Sequence, residues 1–404
     1  MSENGKLKTS PYKGVRDFYP PEMFVQNYIF GVMRKTAESF GYLEYGASIL
    51  EPAELYRGKT SEEIVNEQTY TFTDRGKREI TLRPEMTPTI ARMIAAKRRE
   101  LAFPLRWYSI PNVFRYERPQ RGRLREHWQL NCDIFGIAGI EAPVEIISLA
   151  YRLMKNFGAK DADFEIRVNS RKIIAAELAH KNFSTEQIRE FTRKLDRGDL
   201  PAGEAGPVSA DFNFAPDEEI KALLAALKEN GISNVRFAPT LARGFDYYTG
   251  IVFEVFDTAP QNNRALFGGG RYDNLLAIFG EKDIPAVGFG MGDVTARDFL
   301  ETRNLLPSYK PAVDLVICTV DDRNLKDINE TAGRLREKGV NVALDFTDRK
   351  IGDKIKSADK QAVPLTVCVG EEEIKTGKFK LKNLKTGEET VLLEKEIPSF
   401  IRNV

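Results

Sequence analysis

Hydrophobic positions near the start of the chain follow the period of an α-helix. After a polar arm, Pro20 opens a stretch in which Phe24, Tyr28 and Val32 recur at every fourth position, and the pattern stops near Gly41. Proline suits the first turn of a helix, and glycine commonly follows the last. Apolar residues at this spacing share one face of a helix. The pattern therefore predicts an amphipathic helix.

From there to about residue 135 the pattern changes to short alternating or apolar runs, which are typical of β-strands. They occur in "REITLRP", "LRWYSIPNVFRYE" and "WQLNCDIFG", with a helix predicted from Thr87 to about Glu100. The segment "APVEIISLAYRLMKNFG" has a helical pattern, and "DFEIRVNS" reads as a strand. Strand patterns return in "RGFDYYTGIVFEVF", "ALFGGGRYD" and "PAVGFGMG", before a helix near Asp293. We expect one mainly antiparallel sheet.

Residues between the two groups of strands are charged and mostly helical in pattern, so we interpret them as an insertion that divides one α+β domain. Two prolines in "LLPSYKPAVD" mark a linker. Beyond it, strands and helices alternate over about 90 residues, which predicts a small separate α/β domain with a mostly parallel sheet. The predicted boundaries are 1–170 and 234–306 for the divided domain, 171–233 for the insertion and 307–404 for the C-terminal domain.

Composition removes several classes of function. The 404 residues include 60 lysines and arginines against 59 aspartates and glutamates, a net charge of +1, so any anion site must be local. Three widely spaced cysteines argue against a disulfide framework or a cysteine zinc site. The N-terminal segment lacks the apolar region of a signal peptide, and no run approaches the roughly 18 apolar residues of a membrane span. We expect a cytoplasmic protein with no membrane partner.

The densest local charge lies between residues 114 and 133. Its five arginines are Arg115, Arg118, Arg121, Arg123 and Arg125. Pro119 and Gly122 interrupt the run where a tight turn is expected. Planar guanidinium groups fork onto phosphates through charge-assisted hydrogen bonds. A surface ion pair with Glu117 or Glu126 would explain any single arginine, but five so close together favour a polyanion.

A second group of residues suits the binding of an amine. Glu85 and Thr87 follow a predicted strand and are flanked by Pro84 and Pro88, so the backbone has few accessible conformations and the side chains are held in place. A fixed carboxylate can pair with an ammonium group. The alternative is an acid at a helix N-terminus that is stabilised by the helix dipole.

A third group precedes an apolar strand in "LARGFDYYTGIVFEVF". It contains Arg243, Asp246, Tyr247 and Tyr248, and its alternatives are a binding site or a core with a buried salt bridge. In "FGGGRYDNL", three glycines precede Arg271. We interpret them as a flexible turn that brings the backbone close to a ligand, or as the end of a hairpin.

Missing residue types narrow the chemistry further. Gly288, Gly290 and Gly292 alternate in "GFGMGD", which lacks the dinucleotide-binding spacing and indicates close backbone approach to a neighbour or ligand. His127 and His180 are the two histidines of the chain, so histidine triads and zinc clusters are nearly excluded and no metal-binding motif is present. Arginines and carboxylates would carry the chemistry of an enzyme. They suit a reaction in which a nucleotide phosphate is positioned and its charge neutralised.

Taken together, these segments resemble the histidyl-tRNA synthetases, a family of class II aminoacyl-tRNA synthetases. The resemblance covers nearly the whole chain. It is carried by "KGVRDFYPPE", "TLRPEMTPT", "FRYERPQRGRLREHWQLNCDIFG", "LARGFDYYTG", "FGGGRYDNL" and "LDFTDRKIGDKIKSADK". It implies a class II catalytic domain and an anticodon-binding C-terminal domain. It also implies ATP-dependent attachment of histidine to tRNA(His) through histidyl-adenylate, with release of AMP and pyrophosphate.

The resemblance further implies roles for individual residues. Arg115 and Arg243 would be the catalytic arginines at the α-phosphate. The histidine-binding residues would be Glu85, Thr87, Gln129, Asp133, Tyr247 and Tyr248. The ATP-binding residues would be Arg115, Glu117, Arg123, His127 and Arg271. Contacts with tRNA would come from Arg118 and Gln120 at the acceptor end and from Arg349 and Lys350 at the anticodon. Mg²⁺ would accompany ATP, and the protein would form a homodimer.

Three positions depart from the family pattern. His127 replaces a phenylalanine that usually stacks on adenine, and we expect altered ATP affinity rather than its loss. Ser48 replaces the usual proline of the first motif at the dimer interface. Thr295 occupies the place of a third-motif arginine that binds the γ-phosphate. Arg297 cannot substitute for it, because two helical residues rotate the side chain by about 200°. Either another arginine, for example in the second-motif loop, takes this role or activity is impaired.

Two other functions stay open at this point. One is a noncatalytic paralogue that binds histidine as a regulatory subunit of histidine biosynthesis, but such paralogues typically lack the C-terminal domain. The other is a tRNA-binding protein of synthetase ancestry without ATP chemistry, which only Thr295 favours. The sequence does not show which tRNA bases are read or what residues 171–233 contact.

Overall fold

The computed structural model describes residues 7–57, 68–197, 214–243, 247–262, 265–320 and 323–403. The chain divides into two compact units. One comprises Met1–Asp17 and Gln26–Leu306, and the other comprises Phe18–Val25 and Pro307–Val404.

Helices occur close to the positions that the hydrophobic pattern predicts, together with short ones that were not predicted. Those of the described residues are α1 (Pro20–Ser39), α2 (Glu54–Arg57), α3 (Thr87–Lys97), α4 (Glu141–Asn156), α5 (Arg171–His180), α6 (Thr185–Arg197), α7 (Glu218–Glu229), α8 (Asp293–Thr302), α9 (Leu325–Glu337), α10 (Ile351–Lys360), α11 (Glu371–Thr376) and α12 (Ile397–Ile401). Helices α5 to α7 lie in the segment predicted as a helical insertion, of which residues 198–213 are outside the described part.

Strands of the larger unit are β1 (Leu43–Glu44), β2 (Leu50–Pro52), β3 (Tyr70–Thr73), β4 (Glu79–Leu82), β5 (Leu105–Ser109), β6 (Asn112–Phe114), β7 (Glu126–Phe135), β8 (Phe164–Ser170), β9 (Val235–Phe237), β10 (Ile251–Asp257), β11 (Ala265–Arg271) and β12 (Ala286–Gly292). Most belong to one sheet with the order β1-β5-β7-β12-β11-β10-β8-β9, in which β6 also pairs with β7. Apart from β1 with β5 and β8 with β9, these pairs are antiparallel. A smaller antiparallel sheet has the order β2-β4-β3. The mainly antiparallel α+β fold is thus confirmed.

The centre of the larger sheet carries glycines where side chains from neighbouring strands need space. On β12, a Cβ at Gly288 would overlap a carboxylate oxygen of Asp133 on β7, and a Cβ at Gly290 would lie 2.9 Å from Gln129. The expectation of close approach at these alternating glycines is confirmed. Gly268, Gly269 and Gly270 lie inside strand β11, so the interpretation of these glycines as a turn or a hairpin end was wrong. There the glycines let strand backbones and side chains approach closely.

In the smaller unit the strands are β13 (Leu315–Thr319), β14 (Val342–Asp345), β15 (Leu365–Val369), β16 (Lys378–Asn383) and β17 (Glu389–Leu393). The sheet order is β14-β13-β15-β16-β17. The first three strands are parallel, as the alternating pattern predicts, whereas β16 and β17 form an antiparallel extension. Helices α9 and α10 provide crossovers between parallel strands, which cannot be joined by a tight turn. The C-terminal α/β domain is therefore confirmed, with a mixed sheet.

Candidate active site

One cavity in the larger unit brings together all residues predicted to bind histidine and both predicted catalytic arginines. These residues are Glu85, Thr87, Arg115, Gln129, Asp133, Arg243, Tyr247 and Tyr248. The fold joins distant segments here: Glu85 and Tyr247 are 162 positions apart and hydrogen-bonded. Asp246, which the sequence places beside this group, lies outside the described residues.

Glu85 provides a buried carboxyl group in the cavity. It lies between β4 and α3 and is 3% exposed. The Tyr247 hydroxyl donates to Glu85 Oε2 at 3.2 Å, and the Tyr56 hydroxyl donates to its backbone oxygen at 3.4 Å. Thr87 Oγ1 lies 3.5 Å from the Tyr247 hydroxyl. Burial of a carboxylate is costly unless a cation or hydrogen-bond donors compensate for it, so this site suits a cationic ligand.

Asp133 provides a second buried carboxylate on β7. It is 5% exposed, lies opposite Gly288 of β12 and accepts a hydrogen bond from the Tyr272 hydroxyl. Burial raises the pKa of Asp133 to about 7, and the Tyr272 hydrogen bond opposes part of that shift. Because a nearby positive charge favours the ionised form of a carboxyl group, a bound ammonium would draw the proton off Asp133.

Three tyrosine rings form an aromatic wall. The ring centroids of Tyr247 and Tyr248 are 4.9 Å apart, and those of Tyr247 and Tyr272 are 5.7 Å apart. Tyr272, Asn131 and Phe289 line the cavity but were missed in the sequence. For Tyr272 the signal was present, because strand alternation places it on the same face as the glycines at 268 and 270.

Arg243 lies at the border between this cavity and a larger one. Its Nη1 donates to Glu254 Oε1 at 2.7 Å, and its Nη2 lies 3.4 Å from the carbonyl oxygen of Gly268. Arg243 lines the cavity that contains Glu85 and Asp133, whereas Glu254 lines a cavity of about 1010 Å³. The side chains of the pair are only 17% and 16% exposed. A guanidinium held in this way can stabilise negative charge that develops during a reaction.

Arg115 immediately follows strand β6. Its Nε donates to the carbonyl oxygen of Pro84 at 2.9 Å, and its Nη1 lies 4.0 Å from Glu117 Oε1. Arg123 Nη1 lies 3.7 Å from Glu117 Oε2. Glu117 therefore stands between two predicted ATP-binding arginines and helps to orient both.

The loop between β6 and β7 makes the tight turn that the sequence predicts. Gln120 and Arg123 exchange backbone hydrogen bonds of 3.0 and 2.9 Å, and Gly122 has a φ of +77°, which favours glycine. Arg118, Gln120 and Arg123 are exposed at this turn. Their side chains are accessible to a large ligand.

Arg121 and Arg125, two further arginines of the cluster, also have contacts within the protein. Arg125 is 8% exposed, with its guanidinium carbon 3.8 Å from the ring centroid of Tyr116, and it donates to the Tyr12 hydroxyl at 2.9 Å. Arg121 donates to Asp298 on α8 at 2.7 Å. The cluster thus combines structural contacts with exposed cations.

His127 lies on β7 and is partly buried. Burial lowers the pKa of His127 to about 3, and the nearby charges of Arg115 and Arg16 contribute, so its imidazole is neutral at physiological pH. Within the described part of the chain, Nδ1 of this ring has no hydrogen-bond partner. A neutral ring of this kind can stack on a base.

Arg271 differs from the other predicted ATP-binding residues. It is 4% exposed and donates to the carbonyl oxygens of Ile137 at 3.3 Å and Gly139 at 2.8 Å, and to Asp273 at 3.3 Å. Like Glu117 and His127, it lines neither of the two cavities of this unit described above, but its donors are already bound to backbone and carboxylate oxygens. These contacts are those of a side chain that fixes a loop against strand β11.

The third-motif segment begins helix α8. Asp293 is fully buried and accepts hydrogen bonds from Arg16 at 2.7 Å, from Gln26 at 2.8 Å and from the backbone nitrogen of Trp128 at 2.9 Å. Thr295 donates to the carbonyl oxygen of residue 292 at 3.0 Å. These contacts attach the start of α8 to the centre of the sheet.

The larger cavity places Thr295 beside arginines from other segments. It is lined by Arg121 and Arg123 of the loop and by Arg167 and Arg236 of β8 and β9. A Cβ on Gly122 would lie 3.7 Å from Thr295, so the loop lies close to the start of α8. Arg297 instead donates to Glu301 at 2.8 Å, along the same helix.

In the C-terminal unit, the predicted anticodon contacts lie at the start of α10. Arg349 donates to Asp345 and to Thr347 Oγ1, both at 3.0 Å, and Lys350 is exposed at the N-cap of α10. A cavity of about 510 Å³ beside them is lined in part by Arg349 and the partly exposed ring of Phe346.

Across the described residues, no group of three or more histidine, cysteine, aspartate or glutamate side chains is arranged to hold a metal ion. No helix in the same residues is long and apolar enough to cross a membrane.

Two protein-family models match the chain. The histidyl-tRNA synthetase model matches residues 14–205 and 214–293, and the anticodon binding domain model matches residues 314–404.

Relatives of known activity match over nearly the full length. The histidine–tRNA ligase of Leptospira biflexa is 41% identical, covering 94% of this chain and 94% of the relative. That of Thermoplasma volcanium is 36% identical over 96% of this chain and 97% of the relative. That of Halobacterium salinarum is 36% identical over 94% of both chains.

Solved structures share the fold at lower sequence identity. Histidyl-tRNA synthetase from Nostoc has a TM-score of 0.80 at 21% identity, covering 98% of this chain and all of the other. The apo enzyme from S. aureus has a TM-score of 0.78 at 24% identity over the same shares. A Bacillus halodurans protein described as an ATP phosphoribosyltransferase regulatory subunit/histidyl-tRNA synthetase has a TM-score of 0.72 at 23% identity, covering 87% of this chain and 97% of the other.

Proposed function

The chain belongs to the histidyl-tRNA synthetase family, and we propose that the residues gathered in its buried cavity carry out the attachment of histidine to tRNA(His). The reaction uses ATP, passes through histidyl-adenylate and releases AMP and pyrophosphate. The observation that carries the assignment of residues is the convergence of two buried carboxylates, two arginines and a tyrosine wall on one cavity.

Histidine occupies the enclosed end of this cavity. Glu85 and Asp133 hold its ammonium group, with Thr87 and Gln129 as polar neighbours. The imidazole lies against Tyr247 and Tyr248. Support comes from the burial of both carboxylates and from the raised pKa of Asp133, which a cationic ligand lowers again.

The two arginines of the cavity act on the α-phosphate. The carboxylate of histidine is ionised at neutral pH, so it attacks the α-phosphorus without a general base. Arg115 and Arg243 bind the oxygens on which negative charge accumulates, and the pyrophosphate leaves opposite the attacking oxygen. Both side chains are held by contacts on the protein before the substrate arrives, which lowers the reorganisation needed in the transition state.

ATP binds across the second-motif loop and the larger cavity. Glu117, Arg123 and His127 contact the nucleotide, and Mg²⁺ enters as the MgATP complex with phosphate oxygens among its ligands. Because Thr295 cannot bind a phosphate as an arginine does, we assign the γ-phosphate to the loop arginines beside it, Arg121 and Arg123. The ATP contact predicted for Arg271 has no support in its position.

Transfer to tRNA uses exposed side chains of both units. Arg118 and Gln120 contact the acceptor end, and Arg349 and Lys350 contact the anticodon. We retain the predicted division at residues 170, 233 and 306, the homodimer and the cytoplasmic location as proposals that accompany this function.

The regulatory paralogue is the weaker alternative. The relatives over nearly the whole chain are histidine–tRNA ligases, and the anticodon binding domain is matched at residues 314–404. Both findings favour the catalytic function.

The decisive experiment is histidine-dependent exchange of labelled pyrophosphate into ATP without tRNA, with other amino acids as controls. We expect exchange with histidine alone, followed by charging of tRNA(His). If a folded protein that binds histidine shows no exchange, that result would contradict the catalytic function and favour the regulatory paralogue instead.

A further inference from the structure

We propose that Glu254 is a positioning residue that holds Arg243 in the geometry needed at the α-phosphate. This inference rests on the proposed function, because it concerns the same reaction. It arises from a largely buried carboxylate that lines the larger cavity and that the mechanism above does not use.

The strand register explains why this pair can form. Glu254 lies on β10 directly opposite Gly268 of β11. A Cβ on Gly268 would lie 2.6 Å from Arg243 Nη1 and 2.9 Å from Glu254 Cγ. Because Gly268 has no side chain, the guanidinium of Arg243 has room beside β11, and its Nη1 lies 2.7 Å from the carboxylate of Glu254.

The contacts fix the guanidinium in two directions. Glu254 accepts from Nη1, the Gly268 carbonyl oxygen lies near Nη2, and the guanidinium carbon is 5.9 Å from the ring centroid of Tyr248. Because an arginine has five N–H donors in a rigid fork, these two contacts leave donors that can bind phosphate oxygens.

A direct role of Glu254 on the phosphate is unfavourable. A carboxylate next to a triphosphate repels it, and the pair with Arg243 reduces the net positive field at the site. The benefit is orientation: an arginine has many rotamers, and a misplacement of about 1 Å in a reacting group can lower the rate by about 100-fold. The geometry thus favours a role of Glu254 in orienting Arg243, at the expense of some positive potential at the site.

The experiment compares Glu254→Ala, Glu254→Gln and Glu254→Asp in single-turnover adenylate formation. We expect Glu254→Ala to lower the rate by about 10- to 100-fold while the histidine KM changes less than about twofold. Glu254→Gln keeps an accepting oxygen and should lose less. Glu254→Gln is nearly isosteric, so it tests the proposal even where Glu254→Ala fails to fold.

A double-mutant cycle tests whether Glu254 acts through Arg243. In an Arg243→Ala background, Glu254→Ala should have almost no further effect on the rate. Equal losses in both backgrounds would overturn the proposal, and so would an unchanged rate in all three single variants. A faster rate in Glu254→Gln would also overturn the proposal, because it would show that the carboxylate competes with the phosphate for Arg243.

A matched control lies on the same strand. Asp257 of β10 pairs with Arg303 at 2.5 Å and lines neither cavity of this unit. We expect Asp257→Asn to lower Tm without changing the rate of adenylate formation. If the unmutated protein shows no histidine-dependent exchange, the proposed function fails. If the unmutated protein shows exchange and the Glu254 variants form adenylate at the same rate, only this inference fails.

Discussion

The cavity that we assign to histidine and the second-motif loop that we assign to ATP and tRNA are built in opposite ways. In the cavity, Glu85 is 3% exposed and Asp133 is 5% exposed, and glycines on adjacent strands make room for the polar side chains. In the loop, the side chains of Arg121 and Arg123 are 57% and 61% exposed. In the proposed assignment, histidine binds buried carboxylates in a cavity of low local dielectric, whereas tRNA and the phosphates at the loop contact exposed cations that solvent screens. Substitutions in the cavity should therefore have the larger effects.

The largest effect should come from Arg243→Ala. We expect kcat for adenylate formation to fall by about 1000-fold with little change in the histidine KM, because the lost contact acts on charge that develops in the transition state. Pyrophosphate exchange and equilibrium histidine binding measure the two quantities. Arg297→Ala, on a surface ion pair of α8, is the control and should match the unmutated protein. If histidine binding were lost together with the rate of adenylate formation, the role of Arg243 would be structural.

Glu85→Ala should be the next most damaging change. Truncation of a buried carboxylate that pairs with an ammonium should raise the histidine KM by about 100-fold, while the ATP KM changes only a few-fold. Initial rates of pyrophosphate exchange, measured at varied histidine and at varied ATP concentration, give the two KM values separately. A collapse of ATP affinity instead would contradict the assignment of the cavity to histidine.

Asp133 should make histidine binding depend on pH. Its pKa is raised to about 7, so below that pH the carboxyl group is increasingly protonated and cannot pair with an ammonium. We expect the histidine KM to rise as pH falls from about 8 to 6, approaching a tenfold rise per pH unit below the pKa.

The imidazole of the substrate also titrates in that range, so the comparison with Asp133→Asn isolates the protein group. That variant should bind histidine more weakly at pH 8, and its profile should be flatter by the contribution of Asp133. Parallel profiles for the two proteins would exclude Asp133 as the titrating group.

The smallest effect is expected in the loop. Arg118→Ala should raise the tRNA KM a few-fold, leave pyrophosphate exchange unchanged and reduce the slope of log KM against log salt by about 1. Charging assays at several salt concentrations provide the measurement. Arg125→Ala, which removes a buried arginine of the same cluster, should instead lower Tm. A salt slope that Arg118→Ala leaves unchanged would place Arg118 outside the tRNA interface.

Several features were predictable because they depend on local pattern. Helical periodicity located α1 and α4, alternation located the strands, and the change to alternating strands and helices located the C-terminal domain. The hairpin β16–β17 was not predicted, although its alternation and the turn glycine Gly387, with a φ of +78°, provide a local signal. Candidate residues for the cavity were predictable as residue types within motifs, but not their mutual contacts.

The sequence by itself determined the family pattern and the two kinds of domain, and it led us to predict that arginines and carboxylates carry the chemistry. Only the tertiary structure decided which arginines face a cavity. Arg125 and Arg271 are held inside the protein, whereas Arg115 and Arg243 line the histidine site. The local sequence pattern contains information about residues that are close together along one helix or strand. The pairing of Glu254 with Arg243 depends instead on strand register and on the space at Gly268, which exist only after distant segments pack together.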